Sequence, residues 1–235
     1  MKTRFVSAFG APLLALGALL LPSILAAQTA RYPLTSIAGL RSFNVAVEPA
    51  KLQGKTGLKV QATQVSPPAG SSVETLVLIE GLKFDDGVIE AEIAGDVRPG
   101  APEGARGFVG IAFRVQDDLR TYDAFYLRPT NGRADDQVRR NHSAQYVSHP
   151  DWPWFRLRKE FPSMYEAYVD LVPGTWTKIR IEVNGEQARL YVHGQSQPTL
   201  IVNDVKSGPK GSGAIALWID SGTVAHFRNL TVSPK

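Results

Sequence analysis

The sequence contains no cysteine among its 235 residues. It therefore forms no disulfide and has no thiol nucleophile and no thiolate metal site. It also lacks the cysteine on which a bacterial lipid anchor is built. A chain of this length can bury a full hydrophobic core without disulfides, and all-β domains of this size commonly fold as one unit.

A large charge of one sign is also missing. The formal net charge is +4, and removal of residues 1–27 would take away Lys2 and Arg4 and no acid, which leaves +2. Binding to nucleic acid requires a concentrated basic face. The central arginines are interspersed with acids instead, so we expect no nucleic-acid partner.

Long apolar runs are absent except at the amino terminus. Lys2 and Arg4 precede an apolar run over 5–27 that is interrupted by glycines and prolines, including Pro22, and ends in Ala26-Ala27. This pattern predicts a secretory signal peptide over 1–27, cleaved after Ala27. An uncleaved anchor is the alternative, because the run is nearly long enough to span a bilayer. We expect an exported protein, periplasmic or extracellular, with no membrane contact after cleavage.

Sustained helical periodicity is missing as well. Short alternating segments separated by Gly, Pro and Asn predict many β-strands, as in a sandwich or barrel. Asn184-Gly185 predicts a tight hairpin. We expect a single domain over 28–235, with strands at 43–48, 58–62, 73–79, 88–94, 108–116, 122–128, 166–172, 176–183, 188–192, 199–202, 214–219 and 224–232.

One stretch, residues 125–166, departs from this alternation. It holds six arginines, two tryptophans and a cluster of amides and acids. Long irregular segments inside compact domains are usually functional or disordered, and the aromatic content argues against disorder. The sequence therefore predicts an ordered, irregular insert at about 129–165 that carries function.

Strand phase assigns side chains to faces, because they alternate along a strand. Apolar residues at alternate positions of the 88–94, 108–116 and 122–128 segments predict buried faces. The opposite faces predict one outer surface that contains Glu90, Glu92, Arg114, Tyr126 and Arg128, together with Trp218.

Five segments resemble the concanavalin A-like lectin/glucanase superfamily, in particular its laminin-G-like members and the bacterial 3-keto-disaccharide hydrolase domains. They are FDDGVIEAEI (84–93), GFVGIAFR (107–114), WTKIRIEVNG (176–185), ARLYV (188–192) and GAIALWIDSGTVAHFRNLTV (213–232). The resemblance implies an all-β jelly-roll β-sandwich of two antiparallel sheets that binds glycans on one sheet or its rim loops. Fold alone does not establish activity.

Two departures from these relatives bear on catalysis. Laminarinase-type glucanases of the superfamily carry acids at three alternate strand positions, whereas here Ala94 follows Glu90 and Glu92. The 3-keto-disaccharide hydrolase domains carry a Gly-Tyr-Glu strand soon after their Phe-Arg strand. Here the nearest match, Tyr165-Glu166, follows the long insert. The resemblance thus implies Glu166, Glu90, Glu92 and Arg114 as catalytic candidates.

The residues themselves indicate a binding surface. Trp152 and Trp154 can stack on sugar rings, or they can pin the insert to the sandwich. Polar groups suit paired hydrogen bonds to hydroxyls or carboxylates, or an internal ion-pair network. The candidate ligand-binding residues are Arg114, Tyr126, Arg128, Asn131, Arg133, Asn141, His142, Trp152 and Trp154.

Metal binding has weak support. His142 and His149 match no tight ligand spacing. Calcium prefers oxygen ligands, for which Asp135, Asp136 and Asp220 are the weak candidates. We expect no other cofactor.

Three functions remain open: a carbohydrate-binding protein that holds a saccharide on a sheet face roofed by the insert, a glycoside-cleaving hydrolase or lyase, and a laminin-G-like domain with a protein partner.

Overall fold

The computed structural model of the protein describes residues 1, 3, 28–64 and 74–235. The predicted signal peptide, apart from Met1 and Thr3, and the loop predicted around 65–72 lie outside these residues. No helix within the described part of the chain is long and apolar enough to cross a membrane.

Two antiparallel sheets form the fold. The back sheet has eight strands, β1 (Ala30–Tyr32), β3 (Val45–Leu52), β4 (Lys55–Ala62), β6 (Gly87–Val97), β11 (Thr177–Asn184), β12 (Gln187–Val192), β13 (Leu200–Val202) and β15 (Thr223–Pro234). Their order is β13-β12-β11-β6-β15-β4-β3, with β1 also paired to β15. The predicted hairpin joins β11 to β12, with Gly185 at φ 61°, a conformation that glycine adopts without strain.

The front sheet has seven strands in the order β10-β9-β8-β7-β14-β5-β2. They are β2 (Leu40–Phe43), β5 (Leu76–Ile79), β7 (Val109–Val115), β8 (Tyr122–Leu127), β9 (Ala144–His149), β10 (Glu166–Ala167) and β14 (Ala214–Ile219). Every pairing in both sheets is antiparallel, and several neighbours are far apart in the chain, such as β6 with β15 and β7 with β14. This arrangement confirms the predicted jelly-roll sandwich.

The core lies between the sheets. Phe113 of β7 packs on Phe125 of β8, with ring centroids 6.2 Å apart, and meets Phe84 edge-on at 6.4 Å. From the back sheet, Ile93 and Ile181 are buried in the same apolar cluster. Burial of each such side chain contributes about 1.5–3 kcal/mol. Alternation therefore fixes which face of each strand points inward.

The insert at 129–165 is less irregular than predicted. It contains a 3-10 turn (Pro129–Asn131), two short helices, α1 (Gln137–Asn141) and α2 (Trp154–Glu160), and strand β9. β9 lies between β8 and β10, so part of the insert belongs to the front sheet itself. β9 was missed because AQYVSH, with residues 144–148 all buried, shows no apolar and polar alternation. The strand predicted at 166–172 is limited to β10.

Candidate functional site

Aromatic rings stack along the outer face of the front sheet. The ring of Tyr126 stacks on that of Trp218, with centroids 4.7 Å apart, and on that of Phe108 at 5.5 Å. Gly110 pairs with both Tyr126 and Trp218. A Cβ at Gly110 would lie 2.6 Å from the Cβ of Tyr126, so the close approach requires glycine. The indole N–H of Trp218 donates to the Tyr122 hydroxyl at 3.0 Å.

Arg128 follows β8 and carries a buried guanidinium group, with only 4% of the side chain exposed. Its Nη2 donates to the Tyr126 hydroxyl at 2.9 Å and to Gln145 Oε1 at 3.0 Å. Its Nη1 donates to the carbonyl of His142 at 2.8 Å. Burial raises the pKa of Tyr126 to about 12, so this phenol is protonated at neutral pH. These bonds hold the guanidinium in one position.

Glu166 begins β10, paired with Gln145 of β9, and its side chain is 3% exposed. Arg158 Nε donates to both carboxylate oxygens at 3.1 Å, and Arg158 Nη2 makes a further bond to Oε1. Arg128 Nη1 lies 3.5 Å from Oε1. One buried carboxylate is therefore bound by two guanidinium groups.

His142 completes this group, because its Nδ1 lies 2.7 Å from Glu166 Oε2. Burial lowers the pKa of His142; the Glu166 carboxylate opposes that shift, and Arg158 and Arg128 reinforce it. The imidazole is therefore mostly neutral at pH 7. We call Arg128, His142, Gln145, Arg158 and Glu166 the Glu166 cluster.

Trp154 gives the Glu166 cluster an exposed aromatic surface. It is the first residue of α2, preceded by Pro153, which favours helix initiation by its fixed φ. The side chain of Arg158, one turn later, lies over the indole with Cζ 4.6 Å from the ring centroid, and Arg128 Cζ lies at 5.9 Å. Trp154 is 40% exposed, and Phe155 beside it is 60% exposed.

This arrangement has two chemical capacities. An exposed indole offers a flat apolar face to a sugar ring, while the neighbouring guanidinium and imidazole groups can bind hydroxyl or carboxylate oxygens. The contact between His142 and Glu166 also forms an acid–base pair. Both capacities lie at one end of the front sheet.

Trp152 has different neighbours from Trp154. The rings of Trp152, Phe161 and Tyr165 surround the ammonium group of Lys206, whose Nζ lies 4.8, 4.9 and 5.2 Å from their centroids. Nζ also lies 2.6 Å from Asp204 Oδ2. Trp152 therefore pins the insert to the loop between β13 and β14.

Arg114 does not share a face with Tyr126 and Arg128, contrary to the prediction from strand phase. It sits at a β-bulge with φ 55°, where the register between β7 and β14 shifts, and a bulge redirects the side chain. Its guanidinium group is fully buried and donates to Asp86 Oδ1 at 3.1 Å, to Ser207 Oγ at 2.8 Å and to three backbone carbonyls, those of Asp85, Gly185 and Gly208. It ties turns together at one end of the sandwich.

Glu90 and Glu92 also lie away from the Glu166 cluster, because β6 belongs to the back sheet. Glu90 lies 3.8 Å from Lys178 Nζ. Glu92 lies 3.7 Å from Lys55 Nζ and 3.5 Å from Arg228 Nε. The predicted outer surface shared by these acids with Tyr126 and Arg128 is therefore wrong. The sequence showed the inward and outward faces of β6 correctly but not which sheet β6 joins.

The remaining polar candidates serve the insert. Asn131 is buried and donates to the carbonyl of His142 at 3.3 Å. Arg133 forms a two-bond ion pair with Asp170, at 2.7 and 2.9 Å. Asn141 accepts a bond from Gln137 within α1. Of the polar candidates Asn131, Arg133, Asn141 and His142, only His142 belongs to the Glu166 cluster.

The weak calcium candidates are not brought together. Asp136 is the N-cap of α1 and accepts from the Arg139 N–H at 2.9 Å, and Asp135 precedes it. Asp220 accepts from the Gly222 N–H in the turn before β15. His149 stacks on Tyr122 at the far end of β9. Within residues 28–64 and 74–235, no group of three or more Asp, Glu, His or Cys suits a metal ion.

Sequence reasoning missed Arg158, Gln145 and Phe108. Arg158 follows Trp154 by four residues, a spacing that places both on one side of a helix, but α2 is too short to show a period. Gln145 lies in β9, which was not predicted. Phe108 directly precedes β7; it lies in the predicted 108–116 strand, and strand phase could have placed it on the outer face with Gly110.

The fold and its strand order define a concanavalin A-like jelly-roll protein. Residues 59–233 match the model of the 3-keto-alpha-glucoside-1,2-lyase-like domain family, and the chain belongs to that family. The predicted resemblance to the bacterial 3-keto-disaccharide hydrolase domains is thereby confirmed. The comparison with curated proteins gives no match.

Solved structures share the fold at low identity. The carbohydrate binding module CBM66 from Bacillus subtilis has a TM-score of 0.53 at 13% identity, over 83% of this chain and 96% of that one. A Bacillus subtilis protein with a galectin-like fold has a TM-score of 0.53 at 14% identity, over 87% and 94%. A prokaryotic β-1,3-1,4-glucanase (lichenase) from a mouse hindgut metagenome has a TM-score of 0.50 at 14% identity, over 88% and 100%.

Proposed function

We propose that this protein is an exported carbohydrate-binding protein that holds a saccharide against Trp154 and the Glu166 cluster. The exposed indole of Trp154, beside Arg158 and the buried polar groups of the Glu166 cluster, is the observation that carries the proposal. A sugar ring stacked on Trp154 would place its hydroxyls near Arg158 and His142. Membership of a family named for glycosides, and the shared fold of a carbohydrate binding module, support the same class of ligand.

A glycan array followed by calorimetry tests the binding proposal. We expect at least one saccharide to bind the wild type, and Trp154→Ala to weaken that binding by about tenfold or more, as for loss of one stacking contact. Ile201→Ala is the matched control, since Ile201 is a comparably exposed apolar residue in β13 of the back sheet. Absence of binding across a broad panel contradicts the proposal, and so does equal binding by the Trp154 variant.

Cleavage of a glycoside is the second candidate function. The 2.7 Å contact between His142 and Glu166 favours it, because such a pair can move a proton, and Arg128 and Arg158 can stabilise developing negative charge. The test is incubation of each bound saccharide with the protein and analysis for products. Products formed by the wild type support catalysis; intact saccharide supports binding alone. Binding to a protein rather than to any saccharide would support the laminin-G-like alternative.

Export has a separate test. The basic and apolar pattern of residues 1–27 supports it. We expect the full chain, expressed in a bacterium, to appear outside the cytoplasm with Gln28 at its amino terminus. Retention in the cytoplasm at full length would contradict export.

A further inference from the structure

The Glu166 cluster carries more positive than negative charge. Arg128 and Arg158 both bind the single carboxylate of Glu166, which leaves one positive charge unmatched in a region where Arg128 and Glu166 are nearly inaccessible. Buried charge without a partner is unfavourable. The nearby His142 adds no negative charge in either protonation state.

Other charged groups near this face do not neutralise the excess. Besides Glu166, Asp220 is an acid that acts electrostatically on Tyr126, but it accepts its own bond from the Gly222 N–H. Across the described residues, Asp220 forms no ion pair with Arg128 or Arg158. The excess positive charge therefore remains available to a ligand.

Arg158 presents the accessible part of this charge. Its Nε and Nη2 bind Glu166, while Nη1 forms no hydrogen bond with any residue of the described chain. The side chain is 33% exposed and lies over the indole of Trp154. A guanidinium edge beside an exposed aromatic face suits a sugar ring that bears an anionic substituent.

Two further arginines, Arg106 and Arg139, lie near each other in the segments that precede β7 and β9. Arg139 lies one turn before His142, and its Nε is buried without a hydrogen-bond partner. Arg106 donates to the carbonyls of Glu103 and Ala105 rather than to a carboxylate. Neither forms an ion pair with an acid in residues 28–64 or 74–235. Burial lowers the pKa of Arg106, and the charge of Arg139 lowers it further, in keeping with two cations close together.

We infer that the saccharide bound at this site is anionic, with a carboxylate such as that of a uronic acid held by the free edge of Arg158 while its ring stacks on Trp154. This inference rests on the proposed function and adds the chemical class of the ligand. A bound carboxylate balances the unmatched charge of the Glu166 cluster. A neutral sugar leaves that charge unmatched.

The test compares an anionic oligosaccharide with its neutral ester and with a second type of anion. Calorimetry is carried out with a short oligogalacturonate, its methyl-esterified neutral form and a sulfated galactan oligosaccharide. We expect the oligogalacturonate to bind at least about tenfold more tightly than the ester, with an affinity that falls as salt is added. Tighter binding of the sulfated compound would identify a sulfate ester as the anionic group.

Variants locate the contact. Arg158→Gln is expected to weaken oligogalacturonate binding by about tenfold or more and to weaken binding of the ester by a clearly smaller factor, because the ester loses hydroxyl contacts only. Arg158→Lys keeps the positive charge and is the control for loss of folding in Arg158→Gln. Arg180→Gln is the matched control, because Arg180 is 34% exposed and stacks on Tyr191 in the back sheet.

The outcomes separate this inference from the function on which it rests. Equal or tighter binding of the neutral ester overturns the anionic class and leaves saccharide binding intact. Equal weakening of both ligands by Arg158→Gln also overturns it. If no saccharide on a broad panel binds the wild type, the proposed function fails and the inference fails with it.

Discussion

Tyr165 and Glu166 are consecutive residues whose side chains lie in two different clusters. The Tyr165 hydroxyl donates to Asp204 at 2.6 Å, beside the ammonium group of Lys206. The Glu166 carboxylate binds Arg158 and Arg128 in the Glu166 cluster. Side chains alternate along extended backbone. The Lys206 contacts that hold Tyr165 in place therefore also fix the position of the Glu166 side chain in the neighbouring cluster.

Lys206→Met is expected to destabilise the protein by about 1–3 kcal/mol, since it removes a cation held by three aromatic rings and an acid. Urea denaturation measures this. Lys206→Arg should retain much of the stability because the charge is kept. Equal stability of Lys206→Met and the wild type would show that the aromatic residues pack without the cation.

Glu166→Gln should cost about 3–5 kcal/mol of unfolding free energy, because it leaves Arg128 buried and Arg158 partly buried without their counter-ion. The same variant should lose saccharide binding. Glu160→Gln is a suitable control, since the Glu160 ion pair with Arg156 is exposed and such pairs contribute at most about 1 kcal/mol. A Glu166 variant as stable as the control would contradict the prediction.

Arg114→Gln should also destabilise the fold by about 3–5 kcal/mol, because the buried guanidinium group joins turns from three parts of the chain. Saccharide affinity per folded molecule should be unchanged, since Arg114 lies outside the Glu166 cluster. Denaturation and calorimetry on the same sample separate the two effects. A stable Arg114 variant that no longer binds saccharide would restore Arg114 as a ligand-binding residue.

Gly110→Ala should destabilise the protein by about 1–3 kcal/mol, because the new Cβ would lie 2.2 Å from the carbonyl oxygen of Phe125 and 2.6 Å from Tyr126. Displacement of Tyr126 should change the near-ultraviolet circular dichroism of the stacked Phe108, Tyr126 and Trp218 rings. Gly104→Ala is the matched control, since a Cβ there meets no atom within 4 Å. Equal stability and equal spectra of the two variants would mean that β7 and β8 can move apart to accommodate the new Cβ without cost.

The buried carboxyl group of Asp123 predicts a pH dependence. Its Oδ1 accepts from the Tyr146 hydroxyl at 2.5 Å, and burial raises its pKa above the ordinary 3.8. Because the folded pKa exceeds the unfolded one, stability from this group is present below pH 3.8 and is lost as pH rises through the folded pKa. Asp123→Asn should therefore gain stability relative to wild type as pH rises.

Asp118 provides the control of opposite sign. Hydrogen bonds from Thr121 and Arg120 lower its pKa below 3.8, so its contribution is present at neutral pH and is lost as pH falls. Asp118→Asn should lose stability relative to wild type as pH rises. Denaturation midpoints across acidic and neutral pH measure both variants. If the denaturation midpoints of the two variants change with pH in the same direction relative to wild type, the raised pKa of Asp123 is contradicted.

The sequence identified several residues of the site but not how they come together. Trp154, Arg128, His142, Tyr126 and Glu166 were all named from residue type or family resemblance, and the structure brings them together. Arg114, Glu90, Glu92 and Trp152 were named on the same grounds and lie elsewhere. A local pattern shows what a side chain can do but not which distant strand becomes its neighbour.

By itself, the sequence determined the alternation of the strands, the hairpin at Asn184-Gly185 and hence the sandwich, because these features depend on near neighbours and on burial of one face. Only the tertiary structure decided that β6 joins the back sheet, that a bulge turns Arg114 away, and that β9 carries Gln145 beside Arg128. The Glu166 cluster is made of residues from β9, β10, α2 and the loops that flank them. Its geometry therefore exists only once non-local pairing is complete.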